Sequence, residues 1–313
     1  MKVYEYVPGT QIDEESTVVA LGFFDGVHAA HRSLLKKAKE ISRAEGLTFA
    51  VFTFRAENVG LKGDARIYST EEKLEILEGL GTDAVILADF PSVSGIEAED
   101  FVKSALLSDM KCKVAVAGYD FRFGKGARGD VSLLTSLLSS AGADCYVEEE
   151  QKIEGEKIST TKIKELLKGG KVSEAISFLG MPYFITAEVR HGKGLGRKLG
   201  FPTVNCDFKE GALLIKKGVY RTAVKISGKL CSAITNVGVC PTFDGGEALH
   251  CETYIIGYSG DLYGQKIRIF FLGFLREEKK FDRQNDLILQ INVDKNTAIS
   301  QNGDLKWLET GLN

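Results

Sequence analysis

No stretch of this sequence approaches the roughly 18 consecutive apolar residues of a membrane-crossing helix, which argues against a membrane protein. Met1–Thr10 lacks a basic segment leading into an apolar one, so no secretory leader is expected. The six cysteines (112, 145, 206, 231, 240 and 251) include no CxxC pair. Neither a zinc cage nor a disulfide scaffold is expected, and a reducing cytoplasm is the natural compartment. There is no excess of positive charge: a formal net charge of −3 speaks against a dedicated nucleic-acid binder. Internal repeats and low-complexity segments are absent as well.

What is present is a chain of 313 residues, about twice a typical domain, with 44% hydrophobic and 27% charged residues. That is the composition of a soluble, globular, two-domain protein. Residues 1–182 carry 22 Lys+Arg against 29 Asp+Glu, whereas residues 183–313 carry 18 against 14. The texture changes at the same place, so domains of 1–182 and 183–313 are expected.

In the first part, strand-like runs (Ser16–Phe24, Leu47–Phe54, Ala84–Leu87, Lys113–Ala117) alternate with helical periodicity at His31–Ala44, Lys73–Leu80 and around Glu97–Leu107. Ser69-Thr-Glu-Glu72 reads as a capping box opening the second of these helices. This alternation predicts a doubly wound parallel sheet, whose ligands bind beyond the carboxyl ends of the strands. The loops at Gly22–His31, Phe54–Asp64 and Gly118–Gly129 are therefore the places for a site. Two short helices, Thr160–Lys168 and Val172–Leu179, close this half. After Pro182, strand-like runs (Tyr183–Val189, Val219–Ile226, Cys231–Val237, His250–Ile256, Lys266–Leu275) predict a small closed β-barrel, finished by a helix near Asp286–Val293.

Three segments of the first half carry chemistry. Gly22-Phe-Phe-Asp-Gly-Val-His-Ala-Ala-His31 ends a strand and opens a helix, so His28 and His31 can face one anion at a helix N-terminus. Imidazole donors there would stabilise charge developing on phosphoryl oxygens. Taken alone, the pair could equally be two surface or capping histidines, and a zinc site lacks a third ligand at a usual spacing. Gly118-Tyr-Asp-Phe-Arg-Phe-Gly124 follows another strand. Ile158-Ser-Thr-Thr-Lys-Ile-Lys164 sits at a helix start, where hydroxyls and cations could hold a triphosphate or merely cap the helix.

In the second half, the glycine-rich loop 192–200 lets backbone N–H groups approach phosphates, with Arg197 and Lys198 adding charge; a flexible hairpin would look similar. Thr203 and Asn205 offer hard oxygens suited to Mg²⁺. Glu252, in a strand, could take the proton of an attacking alcohol or simply face solvent. Arg276–Lys280 could be no more than a solvated charge run.

In this order and spacing, the segments resemble those of bacterial bifunctional riboflavin kinase/FAD synthetases. GFFDGVHAAH, GYDFRFG and ISTTKIK look like the nucleotidylyltransferase half of that family. Gly194-Leu-Gly-Arg-Lys-Leu-Gly-Phe-Pro-Thr-Val-Asn205, Asn236-Val-Gly-Val-Cys-Pro-Thr-Phe243, Glu252-Thr-Tyr254, Asp261-Leu-Tyr-Gly264 and Arg276-Glu-Glu-Lys-Lys-Phe281 look like its kinase module. The resemblance covers essentially the whole chain. It implies ATP held by Gly22, Phe23, Asp25, Gly26, Ser159, Thr160, Thr161 and Lys164, with His28 and His31 catalytic and Asp120 and Arg122 toward the flavin. For the kinase it implies Gly192, Gly194, Gly196, Arg197 and Tyr263 on the nucleotide and Thr203 and Asn205 on Mg²⁺. Glu252 would be the base, and Arg276, Lys279 and Phe281 would lie toward the flavin. The implied partners are small molecules (riboflavin, FMN and ATP), with no nucleic acid and no membrane; the oligomeric state is left open.

The chain departs from the family pattern at Ala30, in the segment Thr53-Phe-Arg-Ala-Glu-Asn58, and at Lys164, which cannot form arginine's bidentate fork. Glu57 would repel a triphosphate if it turned inward. These departures favour a competing reading, a riboflavin kinase whose first domain is catalytically weakened. A third reading is a non-catalytic flavin- or nucleotide-binding regulator, against which the retained Thr203, Asn205 and Glu252 speak.

Overall fold

Thr17-Val-Val-Ala-Leu21 and Ala84-Val-Ile-Leu-Ala88 have no charged face, as suits strands covered on both sides. In the computed structural model, which describes residues 1–57, 65–192, 194–209, 211–241, 247–303, 305 and 308, both segments are buried throughout. They are β2 and β4 of a parallel sheet completed by β1 (Lys2–Tyr6), β3 (Thr48–Phe54), β5 (Cys112–Gly118) and β6 (Asp144–Glu148), in the order β1-β4-β3-β2-β5-β6. Helix α1 (Ala29–Glu45) packs over β2, β3 and β5 and buries Leu34, Leu35 and Ala38. Val19, Leu21, Phe52 and Ile86 belong to the core shared with Phe101 and Leu106 of α3 (Phe101–Asp109) and Leu134 and Leu138 of α4 (Val131–Ser140). The capping box forms as expected: Ser69 and Glu72 exchange their bonds at the start of α2 (Thr70–Gly79).

The connections run one way from β2 to β3 and the other way to β5, so the sheet has its topological switch at β2/β5. Leu21–Gly22 and Gly118–Asp120 leave the sheet side by side there. The helix expected around Glu97–Leu107 is a single turn, Ala98–Asp100, running into the π-wound α3, where Met110 N–H reaches the Ala105 carbonyl at 2.9 Å. Strands β1 and β6 are sheet edges that mix polar and apolar residues and are buried at no more than one position each, which hid them from a search for apolar runs.

The chain divides into two compact units, Met1–Thr160 and from Thr161 onward. In the second, α5 (Thr160–Lys168) is followed by α6 (Val172–Leu179), which lies against the C-terminal strands: Ser173 Oγ donates to the Leu272 carbonyl at 3.0 Å. After the small hairpin β7–β8 (Lys152–Ile153, Glu156–Lys157) of the first unit, the strands β9 (Phe184–Glu188), β10 (Thr203–Asp207), β11 (Gly218–Ile226), β12 (Lys229–Pro241), β13 (Glu247–Ile255) and β14 (Lys266–Arg276) form an antiparallel sheet. Its order is β10-β13-β12-β11-β14-β9. A bridge between Arg190 and Asn205 joins the two outermost strands and nearly closes the barrel. Across β11, β12 and β13, the fully buried hydroxyls of Thr222, Thr235 and Thr253 form a chain with spacings of 2.9 Å. Helix α7 (Gln284–Asn302) is longer at both ends than its apolar pattern predicted, and Asn302 Nδ2 donates to the Thr222 carbonyl at 3.1 Å.

Candidate active sites

At the β2/β5 switch, Phe24 and Val27 take positive φ values of 51° and 40°, and the resulting turn delivers His28 as the N-cap of α1. His28 Nδ1 accepts the backbone N–H of His31 at 3.3 Å. A neutral ring that accepts at Nδ1 carries its proton on Nε2. The two imidazoles stack with centroids 3.5 Å apart and planes 12° from parallel. Burial pushes the His28 pKa down to about 4 and the His31 pKa well below its ordinary value, so both rings are neutral donors at pH 7.

Two cavities share His31 and Asp120. A smaller one of about 230 Å³ also takes in His28, Ala30, Ser159 and Thr160. A larger one of about 750 Å³ takes in Gly22, Phe23 and Arg122. Its wall is aromatic: Phe54 stacks on Phe23 at 5.8 Å, and Phe90, Phe101, Phe121 and Phe123 complete it. Asp120 pairs with Lys157 at 2.9 Å, and Arg122 lies 3.6 Å from Asp130. These aromatic walls were missed in the sequence, although Phe121 and Phe123 stand inside the GYDFRFG segment.

The other expected residues of this half are placed as follows. Asp25 is buried and its Oδ1 accepts the Ile67 N–H at 3.1 Å, so its carboxylate shapes the loop; Gly26 is also buried. Thr161 and Lys164 are on α5, in the second unit. Glu57 is engaged at the N-terminus of α2: its carboxylate takes the N–H of Thr70 at 3.1 Å and the Thr70 hydroxyl. Burial pushes its pKa up, and those bonds more than offset it, leaving the carboxyl below the usual range. Asn58 and positions 58–64 of the expected loop lie outside the described residues. A group with no sequence signal, Lys73, is buried beneath the site. Its ammonium donates to Phe23 O at 3.3 Å, Thr53 Oγ1 at 3.2 Å and Phe54 O, and burial pushes its pKa down to about 8.

In the barrel, a cavity of about 280 Å³ brings together Gly196, Thr203, Glu252, Arg276, Lys279 and Phe281, as the spacing of their motifs alone could not. Asn236 and Tyr254 also reach it, and α7 supplies Leu287, Ile291 and Asp294. Register pairs Glu252 with Asn205 on one side and with Asn236 on the other. Arg276 is bound to Asp294 by Nε and Nη2 at 2.8–3.2 Å.

Thr203 and Asn205, two apart on β10, share a face. A Cβ on Gly192 would come 2.2 Å from the Asn205 amide nitrogen. One on Gly196 would come 2.4 Å from the Phe201 carbonyl and 3.2 Å from Thr203 Oγ1. Bare backbone therefore lies against both hard oxygen donors, which fits a small divalent cation with bound phosphates. Gly194 caps, and Arg197 lies in, a single helical turn, Leu195–Lys198, where both are exposed, and Tyr263 stacks on His191 with centroids 3.8 Å apart. Lys193 is not among the described residues, nor are Thr242 and Phe243 of the Asn236 motif.

A strand-to-helix turn with stacked histidines beside an aromatic cavity, and a pocket with a carboxylate near hard oxygen donors, are what a nucleotide-dependent transferase would need. Comparison with known proteins makes this specific. The family model described as FAD synthetase matches residues 10–162, and that described as riboflavin kinase matches residues 179–301. The chain belongs to the family of bifunctional riboflavin kinase/FMN adenylyltransferases. It is 32% identical over 302 residues to the Bacillus subtilis (strain 168) protein of that name, covering 94% of this chain and 95% of the relative. The Escherichia coli (strain K12) protein is 33% identical over 297 residues, covering 92% and 94%. A solved structure from Streptococcus pneumoniae, described as a macrolide-efflux protein, superposes with a TM-score of 0.85 at 27% identity, covering 95% of this chain and 99% of that one. Efflux is said of that protein alone: neither family model matching this chain describes transport. Among the described residues no helix is long and apolar enough to cross a membrane.

Proposed function

We infer that this chain makes both flavin nucleotides: it phosphorylates riboflavin to FMN in the barrel and transfers AMP from ATP to FMN at the parallel sheet. The observation that carries this reading is that each family model falls largely on one unit, and that residues of its motifs line cavities in that unit: His28, His31, Asp120, Ser159 and Thr160 among them in the first, Thr203 and Glu252 in the second.

In the barrel, the Glu252 carboxylate accepts the proton of the ribityl 5′-hydroxyl as that oxygen attacks the γ-phosphorus and ADP departs. Thr203 and Asn205 are the residues that would hold Mg²⁺, which when bound offsets charge on the β- and γ-phosphates. Gly192 and Gly196 let the phosphates lie against backbone, with Arg197 at the rim. Phe281, Leu287 and Ile291 offer apolar contact to the flavin ring, while Lys279 lies toward its polar edge.

At the sheet, an FMN phosphate oxygen attacks the α-phosphorus of ATP and pyrophosphate leaves. His28 donates through Nε2 to the phosphoryl oxygens, with neutral His31 stacked beside it, stabilising charge as it develops. Ser159 and Thr160 line the smaller cavity, where the phosphates sit. The aromatic cavity takes the isoalloxazine, with Asp120 and Arg122 at its border. Thr161 and Lys164 enter this reading through the family resemblance alone.

The Glu57 geometry removes one ground for a weakened first domain, and both family models match. The test is product analysis of the full chain with riboflavin, ATP and Mg²⁺. FMN followed by FAD is expected; FMN without FAD would restore the kinase-only reading, and neither product would overturn both activities.

A further inference from the structure

His250 is not among the residues carried over from the family. It precedes Glu252 by two residues on β13, so the two side chains share a face. Register places Asp207 opposite His250 and Asn205 opposite Glu252. The imidazole is held at both nitrogens: Nε2 is 3.0 Å from Asn205 Oδ1, and Nδ1 is 2.9 Å from Asp207 Oδ1. Nε2 is also 4.0 Å from Glu252 Oε1. Behind it, Arg190 Nη1 donates to the other Asp207 oxygen at 2.8 Å, and the Arg190 N–H donates to the Asn205 carbonyl at 2.8 Å. One histidine thus touches the proposed cation ligand and faces the proposed base, anchored by an ion pair on two further stretches of chain.

An asparagine amide can present either oxygen or NH₂ to a cation site, and only the oxygen coordinates. With Nδ1 against the Asp207 carboxylate and Nε2 against the amide, the ring ties the way the Asn205 amide faces, and with it the direction of its oxygen, to a fixed partner. Side chains behind metal ligands act in this way generally. We propose that His250 is a positioning residue for the kinase reaction, holding the Asn205 oxygen in its cation-binding orientation, with Asp207 and Arg190 holding His250. The proposal rests on the kinase reading of this site.

The test uses the full chain with two replacements. His250→Phe keeps the ring shape and loses both bonds; His250→Gln keeps a hydrogen-bonding amide near the position of Nε2. Mn²⁺, as a paramagnetic stand-in for Mg²⁺, is titrated in the presence of ADP and followed by electron paramagnetic resonance. The Mg²⁺ dependence of FMN formation and the KM for riboflavin are measured alongside. His250→Phe is expected to weaken Mn²⁺ binding about tenfold with riboflavin KM unchanged, and His250→Gln to recover most of it. Unchanged Mn²⁺ binding in His250→Phe, or a Gln variant as weak as Phe, would overturn the proposal. So would a parallel rise in riboflavin KM, the mark of a general loss of structure. If His250→Phe does not fold, Asp207→Asn takes its place: a smaller weakening in the same direction supports the assignment, and none refutes it. Wild-type protein that makes no FMN would refute the kinase reading itself.

Discussion

Arg276 and Asp294 form a two-nitrogen fork, with Nε to Oδ2 at 3.0 Å and Nη2 to Oδ2 at 2.8 Å, and side-chain exposures of only 16% and 5%. This pair joins β14 to α7 beside the barrel cavity, so the arginine expected near the flavin also holds the helix that walls its pocket. Breaking a buried pair from one side leaves an uncompensated charge, at a cost of about 3–5 kcal/mol. Asp294→Ala should lower the urea midpoint of the barrel accordingly. It should also raise the KM for riboflavin by more than that for ATP, as steady-state FMN formation would report.

The two activities should separate by mutation. His28→Ala is expected to reduce FAD formation from supplied FMN by about 10²–10³-fold, since a preorganised donor to the developing charge is lost. FMN formation should be untouched. Glu252→Gln should do the reverse, costing FMN formation about 10²–10⁴-fold through loss of the base while leaving FAD formation from FMN intact. Chromatography of both products from both variants is decisive; a variant that impairs the two reactions equally would argue against the assignment.

Acid should weaken the first unit. His28 is held at a pKa of about 4 by burial, against an ordinary value of 6.5. Between those values the unfolded chain binds more protons than the folded one, so stability falls as pH drops below about 6.5 and goes on falling to about pH 4. From pH 7 to pH 5 the loss from His28 is about 2 kcal/mol. Urea denaturation at the two pH values should show this loss in the wild type and a smaller one in His28→Asn.

Glu57 should prove structural. Glu57→Ala removes both acceptors that serve Thr70 at the start of α2, and helix-cap losses of this kind cost about 1 kcal/mol. The KM for ATP in adenylyl transfer should not improve. A marked fall in that KM would mean that the carboxylate had been repelling the phosphates.

Much of this architecture was legible before any coordinates. Apolar runs of four to eight residues marked the inner strands, and Ser69 and Glu72 announced α2 by reciprocal capping. Edge strands β1 and β6 were not, because a strand paired on one side needs no continuous apolar run. Strand β10 was missed for another reason: Thr203-Val-Asn-Cys-Asp207 reads as a ligand motif, and its pairing with β13 is set by partners nearly fifty residues away. Motif order singled out His28, Thr203 and Glu252, and each of them lines a cavity. Motif order did not single out His250, Lys73 or the phenylalanine walls. Their surroundings come from contacts across the fold, and a lone histidine, a helical lysine and scattered aromatics carry no local signature.

The buried hydroxyl chain Thr222–Thr235–Thr253 bears on heredity as much as on stability. Thr253 follows Glu252 directly, and a slip of β13 by one residue would turn the carboxylate out of its cavity. The same slip would strand hydroxyls in the barrel interior at about 1–3 kcal/mol each. Frameshifted pairings of this strand are therefore penalised before catalysis is ever tested, and insertions that shift β13 should be purged at the level of folding. Three small side chains act as proofreaders of the strand that carries Glu252.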